Sequence, residues 1–426
     1  MERSPFFQSL AAALPAEKRI QIHHLNQSAR ALAAAHLWAK TGKNVLIVSQ
    51  DDIIAEDIWD DLCALIGTAN AHYLPDYEIL PYEERSPHYS IRATRMMCVH
   101  NVLQGDPAVY SLSIRALLRY LPPLANIERH VKVLRPGLEY PPDELIRDLV
   151  FMGFEVQYQV NKVFQAARRG GIMDIFSPPG LKPVRIEFFG DEIITMRHFS
   201  LNTQRSEPGE VPSYTLIPAR EFCLDDIRKT SPLASLIKTH GFYEGIENQY
   251  SLLLDSLSLF ADYFDPTSRL LVFNNYVYVE EEFQQLAEQV HQQYKRELKN
   301  KTKAKLSPPE KLIADEQELL QLLDPAFSLF LSQSEFVLPF ATENVKAPCE
   351  PQPSFNGDLN LLALSLKKLS LEGTEPVLLF DNASQSRRMN ELLADFDCSP
   401  QGHIGVLHEG FHILDCGLAI WTDHEI

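Results

Sequence analysis

An α/β protein is what this sequence predicts: a parallel-sheet lobe interrupted by a smaller α+β domain and followed by a second, small α/β unit. Three observations carry that reading. Short apolar runs such as Asn44–Val48 alternate with helical stretches, the pattern of buried parallel strands covered by helices. After Pro122-Pro123 the texture changes to short strands separated by turn residues, in antiparallel style. Helices and an apolar strand return from about 221, and a proline-marked stretch at 345–357 precedes a last run of alternating elements. The expected division is 1–123 and 219–345 for the lobe, 124–218 for the insertion, 346–356 for a linker and 357–426 for the small unit.

Each element has a local reason. Ser28–Lys40 is rich in Ala and Leu, the strongest helix formers. Gly42 ends it, and Asn44–Val48 follows as a buried strand. Asp51 and Asp52 open a helix over 53–65, where carboxylates favour the helix N-terminus. A helix near 91–103 and a strand near 108–112 complete the first section. The insertion opens with a strand at 131–134 and a helix at 143–152. Strands at 171–176, 184–189 and 193–199 follow, divided by Pro178-Pro179-Gly180 and Gly190-Asp191. Beyond it come the apolar strand 269–273 and a long polar helix, 280–299, running into Lys299, Lys301, Lys303 and Lys305. In the small unit we expect helices at 358–370 and 384–393, a strand at 377–380, and strands near 404–407, 411–415 and 418–422. Glu409-Gly410 would form a hairpin turn between the first two of those last strands.

Composition bounds the function. At roughly 100–200 residues per domain, 426 residues make two to four domains. The balance of 45% hydrophobic and 23% charged residues is that of a globular chain. With 39 Lys+Arg against 57 Asp+Glu, the formal charge is −18. Duplex DNA is held by basic side chains that neutralise phosphates, so a surface this acidic is a poor wrapper of nucleic acid. Six dispersed cysteines form no C-x-x-C pair, which fits a reducing cytoplasm. No apolar stretch is long enough to cross a membrane, and the N-terminus has no signal-peptide core.

Glycine, at 18 residues, is scarce where phosphate loops would need it. Thr41-Gly42-Lys43-Asn44 has the look of a phosphate-loop ending but precedes a strand, so it reads as a helix C-terminus. The strand-loop-helix position that would suit a nucleotide runs from Ile20 through His23-His24 into the Ser28 helix. There Ser28-Ala29-Arg30 stands in place of a Gly-Lys-Thr sequence. After the strand at 269–273, Asn274-Asn275 replaces the acidic pair that would hold magnesium. Both halves of a nucleotide site are therefore degenerate, and no catalytic residue, metal or cofactor is expected in this chain. Cys398, His403, His408, His412 and Cys416 could be read as a zinc set, but three of them alternate with apolar residues as in strands, so structural histidines are expected. The lysine run at 299–305 is read as a solvated helix end.

The segment 164–199 is the most informative. In Val184–Phe189, alternation puts Arg185, Glu187 and Phe189 on one face. An outward phenylalanine beside arginine is the composition of a protein interface anchor. Arg168-Arg169-Gly170-Gly171 enters the neighbouring strand and can bring a further guanidinium to that face. The competing reading packs Phe189 under a loop of its own domain.

At these residues a family resemblance emerges. Leu74-Pro75-Asp76-Tyr77-Glu78-Ile79-Leu80-Pro81-Tyr82-Glu83, with Ser86-Pro87-His88, resembles a signature of the bacterial transcription-repair coupling factors. Arg169–Phe176 and Arg185–Ile193 are similar to the segment that family shares with the excision-repair protein UvrB, and the likeness continues through Tyr243–Glu247 to Thr422–Ile426. The resemblance implies a degenerate RecA-like lobe interrupted by a UvrA-binding domain, with Arg169, Arg185 and Phe189 contacting UvrA and Glu187 beside them. It also implies that the chain is the N-terminal part of a longer cytoplasmic protein. The remainder would bind RNA polymerase and DNA and use ATP and magnesium in a translocase. A C-terminal domain would mask the UvrA surface. The alternatives are a self-contained helicase and a UvrB-like damage-loading protein.

Overall fold

The computed structural model describes residues 4–13, 19–299, 306–323, 328–398 and 400–426. A seven-stranded sheet organises the lobe, in the order 343–346, 19–23, 328–331, 269–274, 44–49, 109–113, 71–74, with every neighbouring pair parallel. Its two central strands show why they read as uninterrupted apolar runs. Leu46, Val48, Leu271 and Phe273 enter the core on one face, and Val45, Ile47, Leu270 and Val272 that on the other. Period-two alternation thus serves two apolar layers. Full burial of each such side chain contributes roughly 1.5–3 kcal/mol. Leu25 follows the first strand, and Asn26 then caps the helix Gln27–Thr41, its side chain accepting the Ala29 N–H. Gly42, at φ +61°, closes that helix by returning its N–H to the Trp38 carbonyl.

The insertion carries a five-stranded sheet in the order 192–198, 184–189, 172–175, 165–169, 155–156, antiparallel except at its last pair. A two-stranded ladder, 132–134 with 214–216, joins its entry and exit. The last sheet runs 349–351, 411–413, 418–422, 375–380, 401–404 and is mixed. The α/β class expected from the sequence is thus observed, with a large parallel sheet at its centre. Among the described residues, no helix is long and apolar enough to cross a membrane.

The structure differs from the sequence reading in several places, the unanticipated strands Ala71–Leu74 and Gln165–Arg169 among them. The stretch 346–356 is no slack linker: Glu343–Lys346 forms the edge of the lobe sheet and Cys349–Pro351 the edge of the small one. Prolines suit sheet edges, where a missing N–H breaks no ladder. A second lobe strand after residue 219, Ser328–Leu331, was not anticipated, its apolar run being only the three residues Leu329 to Leu331. Finally, Gln401–Ile404 lies at the sheet edge and is not adjacent to Phe411–Ile413, so Glu409-Gly410 is not a hairpin turn. The loop between those strands instead reaches over to the lobe, where Leu407, Phe411 and Ile413 share a core with Ala29, Ala33 and Leu37 of the capped helix. Lys301, Lys303 and Lys305 of the lysine run lie outside the described residues.

Candidate functional site

Two-residue turns at Gly170-Gly171 and Gly190-Asp191 join the strands that hold Arg169 and Phe189, and both turns lie at the same end of the insertion's sheet. Gly170 and Gly190 take φ of +62° and +63°, the left-handed backbone such turns require. Register then sets the face. Asp174 stands opposite Arg185, and Ile172 opposite Glu187. Phe189, opposite Glu192, projects with 81% of its surface exposed. The apolar alternate set, Val184 and Ile186, lies in the core, which fixes the register against slippage.

Arg185 is anchored and does not wave in solvent. Its Nε donates to Asp174 Oδ1 at 2.7 Å and its Nη2 to Oδ2 at 2.9 Å, a bidentate fork. Arg169 Nη2 donates to the same Oδ2 at 2.6 Å. The Asp174 side chain is only 1% exposed, so one buried carboxylate positions both guanidinium groups. Arg185 also lies over the Phe199 ring at 4.9 Å and donates to the Gln204 carbonyl at 3.1 Å. Its hydrogen bonds to Asp174 hold the guanidinium's pKa above the ordinary value. Glu187 is exposed. Sequence reasoning missed Asp174 as the organiser; the signal available was its cross-strand placement opposite an arginine. The face presents an exposed ring, two guanidinium groups oriented by Asp174, and a carboxylate.

The side chains at the strand-loop-helix position after Ile20 and at the end of the 269–274 strand pair within the chain. Ser28 Oγ donates to Asp61 Oδ2 at 2.6 Å and accepts the Glu409 N–H at 2.9 Å. Asn274 Nδ2 donates to Ser49 Oγ at 3.1 Å, and Asn275 adopts φ +57° at the strand end. Ala29 and Arg30 are buried.

Of the histidines and cysteines considered for zinc, His408 lies 3.0 Å from Asp61 and 3.3 Å from Asp57, and Cys398 points its thiol at the Ala363 carbonyl. Two other groups place ligand atoms within 4.8 Å of one another, His23 with His24 and Glu335, and His130 with Cys223 and Asp225. Both have a cation close by, Lys346 at His23 and Arg129 at His130.

The His408 contact gives a pH prediction. The hydrogen bond to Asp61 raises its pKa above the ordinary 6.5, helped by the charges of Asp61, Asp57 and Asp60 and opposed by burial. The folded value exceeds the unfolded one, so the stabilisation is complete below about pH 6.5 and is lost as pH rises through the folded value. Thermal melts of wild type and His408→Gln should differ most at pH 6 and converge towards pH 8.

Residues 133–222 match the family described as the UvrB interaction domain, the region that contains the arginine–phenylalanine face. Across 94% of its length the chain is similar to the transcription-repair-coupling factor of Bacillus subtilis at 24% identity, covering 38% of that protein. It is 33% identical to the Myxococcus xanthus factor over 54% of the chain and 19% of that protein, and 36% identical to the Mycobacterium bovis factor over 47% and 17%. The chain therefore spans at most about two fifths of the length of these relatives. The resemblance drawn from the motifs is borne out: residues 133–222 match the UvrB interaction domain, and the chain is similar to the transcription-repair-coupling factors along most of its length.

Proposed function

We propose that this chain is the UvrA-recruiting, N-terminal module of a transcription-repair coupling factor, acting in transcription-coupled nucleotide excision repair. The observation that carries the reading is the exposed Phe189 beside Arg185 and Arg169, both fixed by Asp174, within the matched domain. UvrA would dock on that face, with Glu187 at its margin. The test is binding of purified UvrA to wild type and to Phe189→Ala and Arg185→Ala; no binding by wild type, or equal binding by all three, would sink the site.

The parent protein would displace stalled RNA polymerase by ATP-driven translocation on DNA, through regions beyond this chain. A further domain of that protein would mask the UvrA face, and the compartment would be the cytoplasm. For the lobe itself we propose a RecA-like ancestry without ATP hydrolysis, supported by Ser28-Ala29-Arg30 and by Asn274-Asn275 at the positions of a phosphate loop and a magnesium site. Titration with Mg-ATP should release no binding heat; a saturable isotherm would return the lobe to the nucleotide enzymes. The damage-loading alternative needs an aromatic-rich insertion near 81–100; of the two tyrosines there, Tyr82 is buried, its hydroxyl donating to the Ser307 carbonyl at 2.8 Å, and Tyr89 is half-buried with Lys162 Nζ 4.7 Å from its ring.

A further inference from the structure

In strand-loop-helix nucleotide folds, phosphate sits on the N–H groups at the helix N-terminus, where the helix dipole favours negative charge. The Gln27–Thr41 helix has an anion in that place, and it comes from the far end of the same chain. Glu409 Oε2 accepts the Gln27 N–H at 2.6 Å. The contact runs both ways, since the Glu409 N–H donates to Ser28 Oγ at 2.9 Å and Asn26 Nδ2 donates to the Gly410 carbonyl at 2.8 Å. Arg30, one turn further in, is buried, and its Nε and Nη1 have no hydrogen-bond partner. Burial lowers its pKa to about 10, and Glu409 is the charge that opposes that lowering.

We propose that the former phosphate cradle is an anion site whose resident ligand is the Glu409 carboxylate, so that the small domain is latched to the lobe without nucleotide. The residues that make the cradle unfit for a triphosphate suit a carboxylate. A single charge on two oxygens needs one backbone N–H and one nearby guanidinium; it does not need a glycine-rich wrap and a lysine. Ser28, too short to replace the missing lysine, instead fixes the backbone that presents the carboxylate. The loop is held from behind as well, the Gly410 N–H donating to Glu425 Oε2 at 2.6 Å. A second carboxylate of the small domain repeats the device: Asp415 Oδ2 accepts from Ser4 Oγ at 2.8 Å and from the Phe6 N–H at 3.0 Å, at the start of the Pro5–Ala13 helix. The latch is independent of which partner the insertion's sheet binds.

Hydrogen–deuterium exchange on the full chain tests this. Glu409→Gln keeps the shape and removes the charge. It should raise exchange about tenfold at 27–30 and 408–410, with little change in the insertion. Adding sulfate to the variant should restore protection at 27–30 but not at 408–410, because a free anion replaces the carboxylate and not the domain. Asp415→Asn, which loosens the same domain elsewhere, should leave 27–30 unresponsive to sulfate. Unchanged exchange in Glu409→Gln, a rise spread evenly over the whole chain, or no effect of sulfate at 27–30 would each overturn the anion site.

Discussion

Replacing Phe189 by alanine is expected to weaken UvrA binding by about 30-fold, roughly 2 kcal/mol, while leaving the melting temperature of the chain unchanged. The ring is 81% exposed in the free chain, so its removal opens no cavity. At an interface it would bury on the order of 150 Å², worth about 4 kcal/mol at about 25 cal/mol/Å². Ordering costs on association reduce that to the smaller figure. Arg185→Ala should behave differently. It strips the bidentate partner from a buried Asp174 and leaves only Arg169 to satisfy it. Binding and stability should therefore fall together, and only the phenylalanine variant isolates the contact. Calorimetric titration with UvrA, paired with thermal melts of both variants, checks this; undiminished binding by Phe189→Ala would remove the ring from the interface.

How far the sequence alone reaches depends on how local each cause is. The strand at 44–49 and the helix at 27–41 were legible within a residue or two, because burial on both faces leaves an apolar run and the Ala-rich stretch ends at Gly42. Phe189 was legible as outward because alternation along 184–189 is a property of neighbours in the chain. Asp174 was not. Its role rests on two arginines, five and eleven residues away, meeting at one buried carboxylate. Glu409 was misread for the same reason. Within 403–413 it looks like a turn residue; its partner, Gln27, is 382 positions away. The zinc reading of His408 turns on a long-range pairing as well, here with Asp61. The Leu74–Glu83 signature carried the family resemblance, but its physical purpose appears only once the chain returns from the insertion.

That purpose gives the largest stability effect expected in the molecule. Glu221→Gln should destabilise the chain by about 3–5 kcal/mol, the usual cost of leaving one member of a buried ion pair alone. Glu221 follows the insertion and meets Arg95 and Tyr77, which precede it, as well as Tyr250. It accepts from Arg95 Nε at 2.7 Å, from the Tyr77 hydroxyl, and from the Tyr250 hydroxyl at 3.3 Å. Tyr77 is clasped by two cations, with Arg95 and Arg119 at 4.2 and 4.1 Å from its ring. Arg95 also donates to the Pro75 carbonyl, while its Nη2 has no hydrogen-bond partner. Without the carboxylate, the buried Arg95 would lose its hydrogen-bonded counter-charge, with Arg119 close to the same ring and only the more weakly acting Asp76 left to offset it. The neighbouring Ser86 and Glu247 extend the clasp, the serine hydroxyl donating to Glu247 Oε2 at 2.6 Å. These contacts join the lobe segment before the insertion to the one after it, so the effect should appear as a fall in the urea midpoint of the lobe. Arg95→Met added to Glu221→Gln should recover most of the loss, since an apolar side chain of similar length demands no partner. Simple additivity of the two changes would mean that the pair carries no coupling, and that the signature joins the two lobe segments by packing alone.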